Sequence, residues 1–188
     1  MSSAGPDEWL GLPLPELHVD EGPITLRPWR TDDAHALAAA WEDPLVRRWL
    51  EPPTGGAPAA ATWIAGADQR LAAGTAIDAA IVVDGAVAGE IGLHRFDRRR
   101  RAALVGYWVG PGHRGRGLAA TALAAATGWW FETIDGEALV AECASANVAS
   151  WRTAEVAGFT LLDEREGRRV LAIARSGRQS GHDRAERS

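Results

Sequence analysis

Along the chain, apolar residues recur first at helical spacing, then at every second position, then at helical spacing again. Residues 24–30 (ITLRPWR) read as a first strand, which Pro28 and the helix start at Thr31-Asp32-Asp33 bring to an end. Ala34, Leu37, Ala38 and Trp41 then share one helical face. A short second helix opens with Pro44 at its first position, where a missing N–H costs nothing. After the loop EPPTGGAP, residues 59–74 read as a third helix that ends at Gly74. Over residues 76–109 the period changes to two: AIDAAIVV, AVAGEIGLHRF and RAALVGYWVG are strands, the first two joined by the hairpin signal Asp84-Gly85. An Ala-rich helix over about Leu118–Glu132 is followed by a strand (EALVAECA) and by a helix with Asn147 as N-cap and Gly158 as its stop. FTLLDERE and RRVLAIARS form a closing hairpin.

This order predicts one α/β domain over 23–176, with a mixed, mostly antiparallel central sheet flanked by helices. Residues 1–22, rich in Pro, Gly and acid, read as a leader lying on the surface, and 177–188 as a polar, flexible tail. Nothing in the pattern repeats, and 188 residues suffice for one substantial core.

Charge narrows the field. All twenty basic residues are Arg. With no Lys, the chain can hold neither a Walker A lysine nor a pyridoxal-phosphate Schiff base. A net charge of −5 argues against a nucleic-acid partner, and Arg98-Arg99-Arg100-Arg101 reads as a solvated hairpin turn. No apolar run is long enough for a membrane span. The N-terminus lacks a secretory signal, and the lone Cys143 has no disulfide partner, so a cytoplasmic location is expected. Nothing in the pattern calls for a metal.

The candidate chemistry sits in GPGHRGRGLAA, residues 110–120. A glycine-rich turn between a strand and a helix is an anion site, because the first helix amides are unpaired and the helix dipole favours negative charge. Gly115 and Gly117 allow close backbone approach, no side-chain N-cap is supplied, and Arg114 and Arg116 add positive charge. A plain surface turn is the bland alternative. Gly110-x-Gly112-x-x-Gly115 also spells a dinucleotide-binding fingerprint. That motif, however, belongs after the first strand of a βαβαβ unit. Here about 110 residues come first, two antiparallel strands among them, and too few follow for a second half. Glu142 alone, at the distance of a ribose-binding acid, does not rescue the dinucleotide reading.

The stretch Gly106-Tyr107-Trp108-Val109, the loop Arg114-Gly115-Arg116-Gly117-Leu118-Ala119, and Asn147, Ser150, Gly158 and Phe159 together resemble the GNAT superfamily of N-acetyltransferases. Within it the chain is most similar to the ribosomal-protein N-terminal acetyltransferase (RimJ/RimL-like) branch, whose opening pattern also matches Leu26-Arg27 and Asp32-Asp33. The resemblance covers about residues 24–175 and is specific for fold and cofactor rather than substrate. It implies transfer of an acetyl group from acetyl-CoA to a primary amine, a protein N-terminus or a small amine, by direct attack in a ternary complex. By the same resemblance the strand before the loop would splay from its parallel neighbour, Trp108 and Val109 would run along the pantetheine arm, the amides of Arg114 to Ala119 would hold the pyrophosphate, and Asn147, an N-cap, would also contact the cofactor. It also allows a homodimer.

Three departures matter. Many relatives carry a Tyr that protonates the leaving thiolate where this chain has Ala154, so the resemblance assigns that role to Ser150, which also reads as an ordinary first-turn helix serine. The branch often has a Glu where this chain has Leu104; Glu90 and His94, on one strand face by period-two counting, are the remaining candidates for the base, with a water chain as the alternative. Trp41, Glu42, Asp43 and Trp49 mark the acceptor region, where the aromatics suit a core and the acids an ammonium. A non-catalytic acyl-CoA-binding or sensor domain of the same fold is the rival reading that Leu104 and Ala154 keep open.

Overall fold

The structure, a computed structural model, describes residues 14–175. At its centre are the three period-two segments: β3 (Ala76–Val83), β4 (Ala86–Asp97) and β5 (Ala102–Val109). Asp84 and Gly85 both take positive φ (50° and 80°), as a primed hairpin turn requires. Upstream lie β1 (Val19–Glu21), β2 (Ile24–Pro28), α1 (Ala34–Trp41), α2 (Pro44–Trp49), α3 (Gly56–Ala65) and α4 (Ala67–Ala72). Downstream follow α5 (Leu118–Glu132), β6 (Ala138–Ala144), α6 (Val148–Val156), β7 (Thr160–Arg165) and β8 (Arg168–Ala174). The described strands form one eight-stranded sheet in the order β1-β2-β3-β4-β5-β6-β8-β7. Only β5 and β6 pair in parallel; every other neighbouring pair is antiparallel.

Both faces of the central strands are covered. Ile77, Ala79 and Ile81 pack with Ile91, Leu93, Val105 and Leu139 against Leu123, Ala126 and Trp130 of α5. The alternate residues Ala80 and Val82 pack with Leu37 and Trp41 of α1 and Ile64 of α3. This double burial is why β3 is apolar at nearly every position.

Three expectations need correction. The described part of the leader does not lie on the surface: Leu14 and Leu17 are buried and Val19–Glu21 adds an edge strand to β2. Its acidic, Pro-rich composition hides two leucines that cap the core; residues 1–13 and the tail beyond 175 lie outside the described residues. The third helix breaks at Gly66 into α3 and α4. A Cβ on Gly66 would sit 3.0 Å from Arg70 Nη1, which donates to Trp63 O while Arg70 Nε bonds Asp78 of β3. Lastly, Arg101 is drawn out of the hairpin turn to Asp135 and Glu137, whereas Asp97 organises the turn by accepting from the Arg99 and Arg100 amides.

One buried ion pair fixes the entry into the first helices. Arg27 Nη1 and Nη2 donate to Asp33 Oδ2 and Oδ1 at 2.7 and 2.9 Å, and the Arg30 amide donates to the same carboxylate. This contact accounts for the Leu26-Arg27…Asp33 spacing noted in the sequence.

Candidate active site

The parallel pair opens. β5 and β6 are paired from Ala102–Leu104 to Ala138–Val140 and then separate, although both strands continue. β6 is held to β8 over its whole length, and β5 stays on β4 as far as Val109 opposite Gly89. A Cβ at Gly89 would fall 2.2 Å from Trp108 O, so this glycine is what lets β5 follow β4 away from β6. The gap is the mouth of a cavity of about 740 Å³, bounded by Gly106–Val109, the loop after β5, Ala141–Ala144, the start of α6 and α2. That size suits a cofactor-sized ligand.

The glycine loop forms one wall. Gly115 and Gly117 have φ of +73° and +76°, and α5 starts at Gly117 without a side-chain cap. Gly117 O accepts from the Ala120 and Thr121 amides, so the amides of Leu118 and Ala119 have no acceptor within the helix. Of the residues expected to hold a cofactor, Trp108, Val109, Arg114, Gly115, Gly117, Leu118, Ala119 and Asn147 line the cavity, and Arg116 does not. The Arg114 side chain is not the free positive charge the sequence suggested. Its Nε donates to Val109 O at 2.9 Å and its Nη2 to Asp43 Oδ1 at 2.5 Å. Asp43 also caps α2 by accepting from Leu45 and Val46, and the Arg114 hydrogen bond leads in holding its carboxyl below the usual range. Arg114 thus braces the loop against α2.

Ser150 lines the opposite wall with Tyr107 and Cys143. Asn147 caps α6, its Oδ1 accepting from the Ser150 amide at 3.3 Å. The Tyr107 hydroxyl donates to Ser150 O at 2.8 Å and lies 3.5 Å from Ser150 Oγ. Burial pushes the phenol up to about 12 and raises the Cys143 thiol as well, so both remain protonated donors at neutral pH. Ala154, one turn beyond Ser150, is fully buried in the core and does not reach the cavity.

Neither Glu90 nor His94 lines the cavity. The Glu90 carboxylate accepts from Nε1 of Trp108, a residue that does line it, at 2.6 Å. Burial and then the Asp78 carboxylate push Glu90 up to about 7, against the Trp108 hydrogen bond and Arg70. His94 is held below its ordinary value by burial and then by Arg95. The raised Glu90 carboxyl has a stability consequence with a definite sign. The folded state binds more protons than the unfolded chain between about pH 4.5 and 7, so this group's contribution falls as pH rises through that window. Glu90→Gln should therefore gain stability relative to wild type on going from pH 5 to pH 7.5; a difference in urea midpoint that stays flat with pH contradicts the assignment.

Of the acceptor-region residues, Trp49 lines the cavity. Trp41 is core, edge-to-face on Trp63, and Glu42 pairs with Arg47. Sequence reasoning missed two side chains. The sequence marks Tyr107 only as part of the Gly106–Val109 stretch, and Glu142 only as an acid at the distance of a ribose ligand. Glu142 is the one carboxylate among the described residues lining the cavity. Period two on β6, with Leu139, Ala141 and Cys143 packed in the α5–α6 core, is the signal that turns Glu142 to the other face.

A sheet opened between two parallel strands and an uncapped glycine-loop helix start thus meet at one cavity. Residues 24–160 match the family model described as the acetyltransferase (GNAT) domain; the chain belongs to this family. It is 30% identical over 97 residues to YdaF of Bacillus subtilis (strain 168), assigned by name to the ribosomal N-acetyltransferases, and the match spans about half of each chain (52%). Among solved structures it is similar in fold to one described as a ribosomal-protein-serine acetyltransferase from Vibrio cholerae (TM-score 0.74, 18% identity, covering 86% of this chain and 99% of that one). It is similar also to Mycobacterium smegmatis RimJ in complex with CoA-disulfide (TM-score 0.69, 24% identity, covering 80% and 81%). Among the described residues no helix is long and apolar enough to cross a membrane, and no cluster of His, Cys, Asp and Glu comes together that could hold a metal.

Proposed function

We propose that the protein transfers an acetyl group from acetyl-CoA to a primary amine, with the α-amine of a protein N-terminus as the acceptor class. The observation that carries this reading is the coincidence, on one cavity, of the β5–β6 opening and the uncapped start of α5. The residues fit the cofactor: in front of Gly115 and Gly117 a Cβ would meet nothing within 4 Å, leaving open space before amides that need an anion. The names of YdaF and of the Vibrio cholerae protein support the acceptor class.

Bound acetyl-CoA supplies the thioester carbonyl that the amine attacks. The amides of Gly115, Gly117, Leu118 and Ala119 would hold its pyrophosphate, and the edge of β5 that β6 leaves unpaired at Trp108 and Val109 would receive its arm. Ser150 Oγ, kept in place by the Asn147 cap and the Tyr107 hydroxyl, donates to the sulfur as charge develops there. Glu90 orients the Trp108 indole instead of removing a proton, and His94 takes no part. A strong base is unnecessary for this acceptor, because an α-amine with a pKa near 8 is roughly one-tenth neutral at pH 7; water in the open cavity takes the proton.

A thiol-release assay with acetyl-CoA and an amine panel tests the reading, and calorimetry distinguishes the non-catalytic alternative, which would bind acetyl-CoA and release no thiol. Ser150→Ala should lower kcat about 10- to 100-fold, the worth of one hydrogen bond to a developing charge. The Kd for acetyl-CoA should stay within about threefold, since the interaction strengthens only in the transition state. Wild-type kcat with a lowered melting temperature would make Ser150 a helix-start residue alone.

A further inference from the structure

The cavity is lined from both faces of the sheet. On the face of α5 and α6 lie the glycine loop, Asn147 and Ser150; on the other lie Trp49 of α2 with Leu50 just after it, Trp108 and Glu142. Its charges are unequal: Arg114, Arg152 and Arg168 stand against the single carboxylate of Glu142. Arg114 is already balanced by Asp43. Glu142 and Arg168 sit diagonally across the β6–β8 pair, where Glu142 faces Val170 and Ala144 faces Arg168. Their charged atoms are 3.5 Å apart, with the side chains 33% and 66% exposed. A long, half-exposed pair of this kind contributes little to the fold and opens readily. Among the described residues no other acid lines the cavity, and Asp43 beside it is held by the α2 cap and Arg114.

We propose that Glu142 binds the acceptor's ammonium and that Arg168, released from Glu142, binds the oxygen of the carbonyl next to it, so that the site selects a peptide N-terminus over a polyamine. The inference rests on the reading of the cavity as the acetyl-transfer site. In a peptide the α-nitrogen and the first carbonyl oxygen are about 3 Å apart by standard backbone dimensions, so one residue can present its ammonium to Glu142 and its carbonyl oxygen to the neighbouring Arg168. A polyamine offers Arg168 no oxygen, and its second ammonium is repelled by Arg168 and Arg152. A positioned carboxylate at the rim also steers a cationic acceptor toward the site.

The test uses the full chain, wild type and the variants Glu142→Gln and Arg168→Gln, with an Ala-initiated pentapeptide amide and spermidine as probes at saturating acetyl-CoA. Glu142→Gln should raise KM for the peptide at least about tenfold with kcat within about threefold, and KM, expected to rise with added salt in the wild type, should no longer do so in the variant. Arg168→Gln should narrow the preference for peptide over spermidine. Titration with acetyl-CoA, read by calorimetry, should be the same in all three proteins. If the wild type binds no acetyl-CoA, the acetyl-transfer reading falls and this one with it. If it binds acetyl-CoA but KM for the peptide is indifferent to Glu142, or spermidine is the better acceptor, the anchor alone is overturned. Should neither amine be turned over, calorimetric binding of the peptide to the CoA-loaded wild type decides: weaker binding in Glu142→Gln supports the anchor, and equal or absent binding overturns it.

Discussion

Asp33→Ala should destabilise the protein by about 3–5 kcal/mol, because it leaves the Arg27 guanidinium charged and unpaired in the interior. Both residues are buried, at 7% and 8% exposure, and their two hydrogen bonds are of ordinary length. Burial pushes the Asp33 carboxyl up, but the Arg27 hydrogen bond, the Arg30 amide and the two positive charges together outweigh it and hold it below the usual value. The contribution is therefore fully present above about pH 4, the unfolded value, and is lost as pH falls through the lower folded value. Urea unfolding at pH 7 should show the whole deficit in the variant, and the gap should narrow as pH is lowered below about 4. Replacing both partners with leucine should cost less than Asp33→Ala alone, since no buried charge is then stranded. A loss under 1 kcal/mol in Asp33→Ala would mean that Arg27 finds water or another acceptor. The pair matters to the site because residues 31–33, a single 3-10 turn, lead into α1 and α2, and α2 contributes Trp49 to the cavity.

What the sequence disclosed and what it withheld follow one physical division. Local patterns with their own stop signals were legible to the residue: β3 between Thr75 and Asp84-Gly85, and α5 between Gly117 and Thr133. The glycine loop was legible too, because left-handed φ at Gly115 and Gly117 is a backbone requirement written in the residue type. Side-chain roles that depend on which element covers a face were not. Period two correctly puts Glu90 and His94 on one face of β4, yet it cannot show that Glu90 is engaged by Trp108 of the neighbouring strand and that neither residue lines the cavity. The Asp43–Arg114 bridge joins residues 71 positions apart, so the loop's apparent surplus of charge looked larger than it is. Ala154 looked like an empty tyrosine position on the active face of α6, whereas the helix turns it fully into the core. The fold and the ligand-holding loop are thus properties of short segments, while the acceptor side is a property of how α2, β5, β6 and β8 meet.

Gly117→Val should weaken acetyl-CoA binding at least about tenfold while the protein remains folded. Gly117 is the first residue of the α5 start, exposed, with φ of +76° and open space where a Cβ would stand. Two effects act in the same direction. A β-branched residue in the left-handed region costs about 1–2 kcal/mol, relieved by turning the peptide and so misdirecting the Leu118 and Ala119 amides. The added methyl groups also occupy the space through which a pyrophosphate must approach those amides. Gly117→Ala separates the two, since it carries the backbone cost with little bulk and should lose less affinity than the valine variant. Gly112→Val is the control: it lies in the same loop, is exposed, has no positive φ and is not part of the cavity lining. Its affinity should stay within about threefold of wild type, because neither the backbone conformation nor the anion's path is altered there. Calorimetric titration of the four proteins, each checked for a cooperative melt, reads the difference directly. A folded Gly117→Val that binds acetyl-CoA as tightly as wild type would remove the phosphate from this loop, because no arrangement of the α5 amides around an anion tolerates a branched side chain between them.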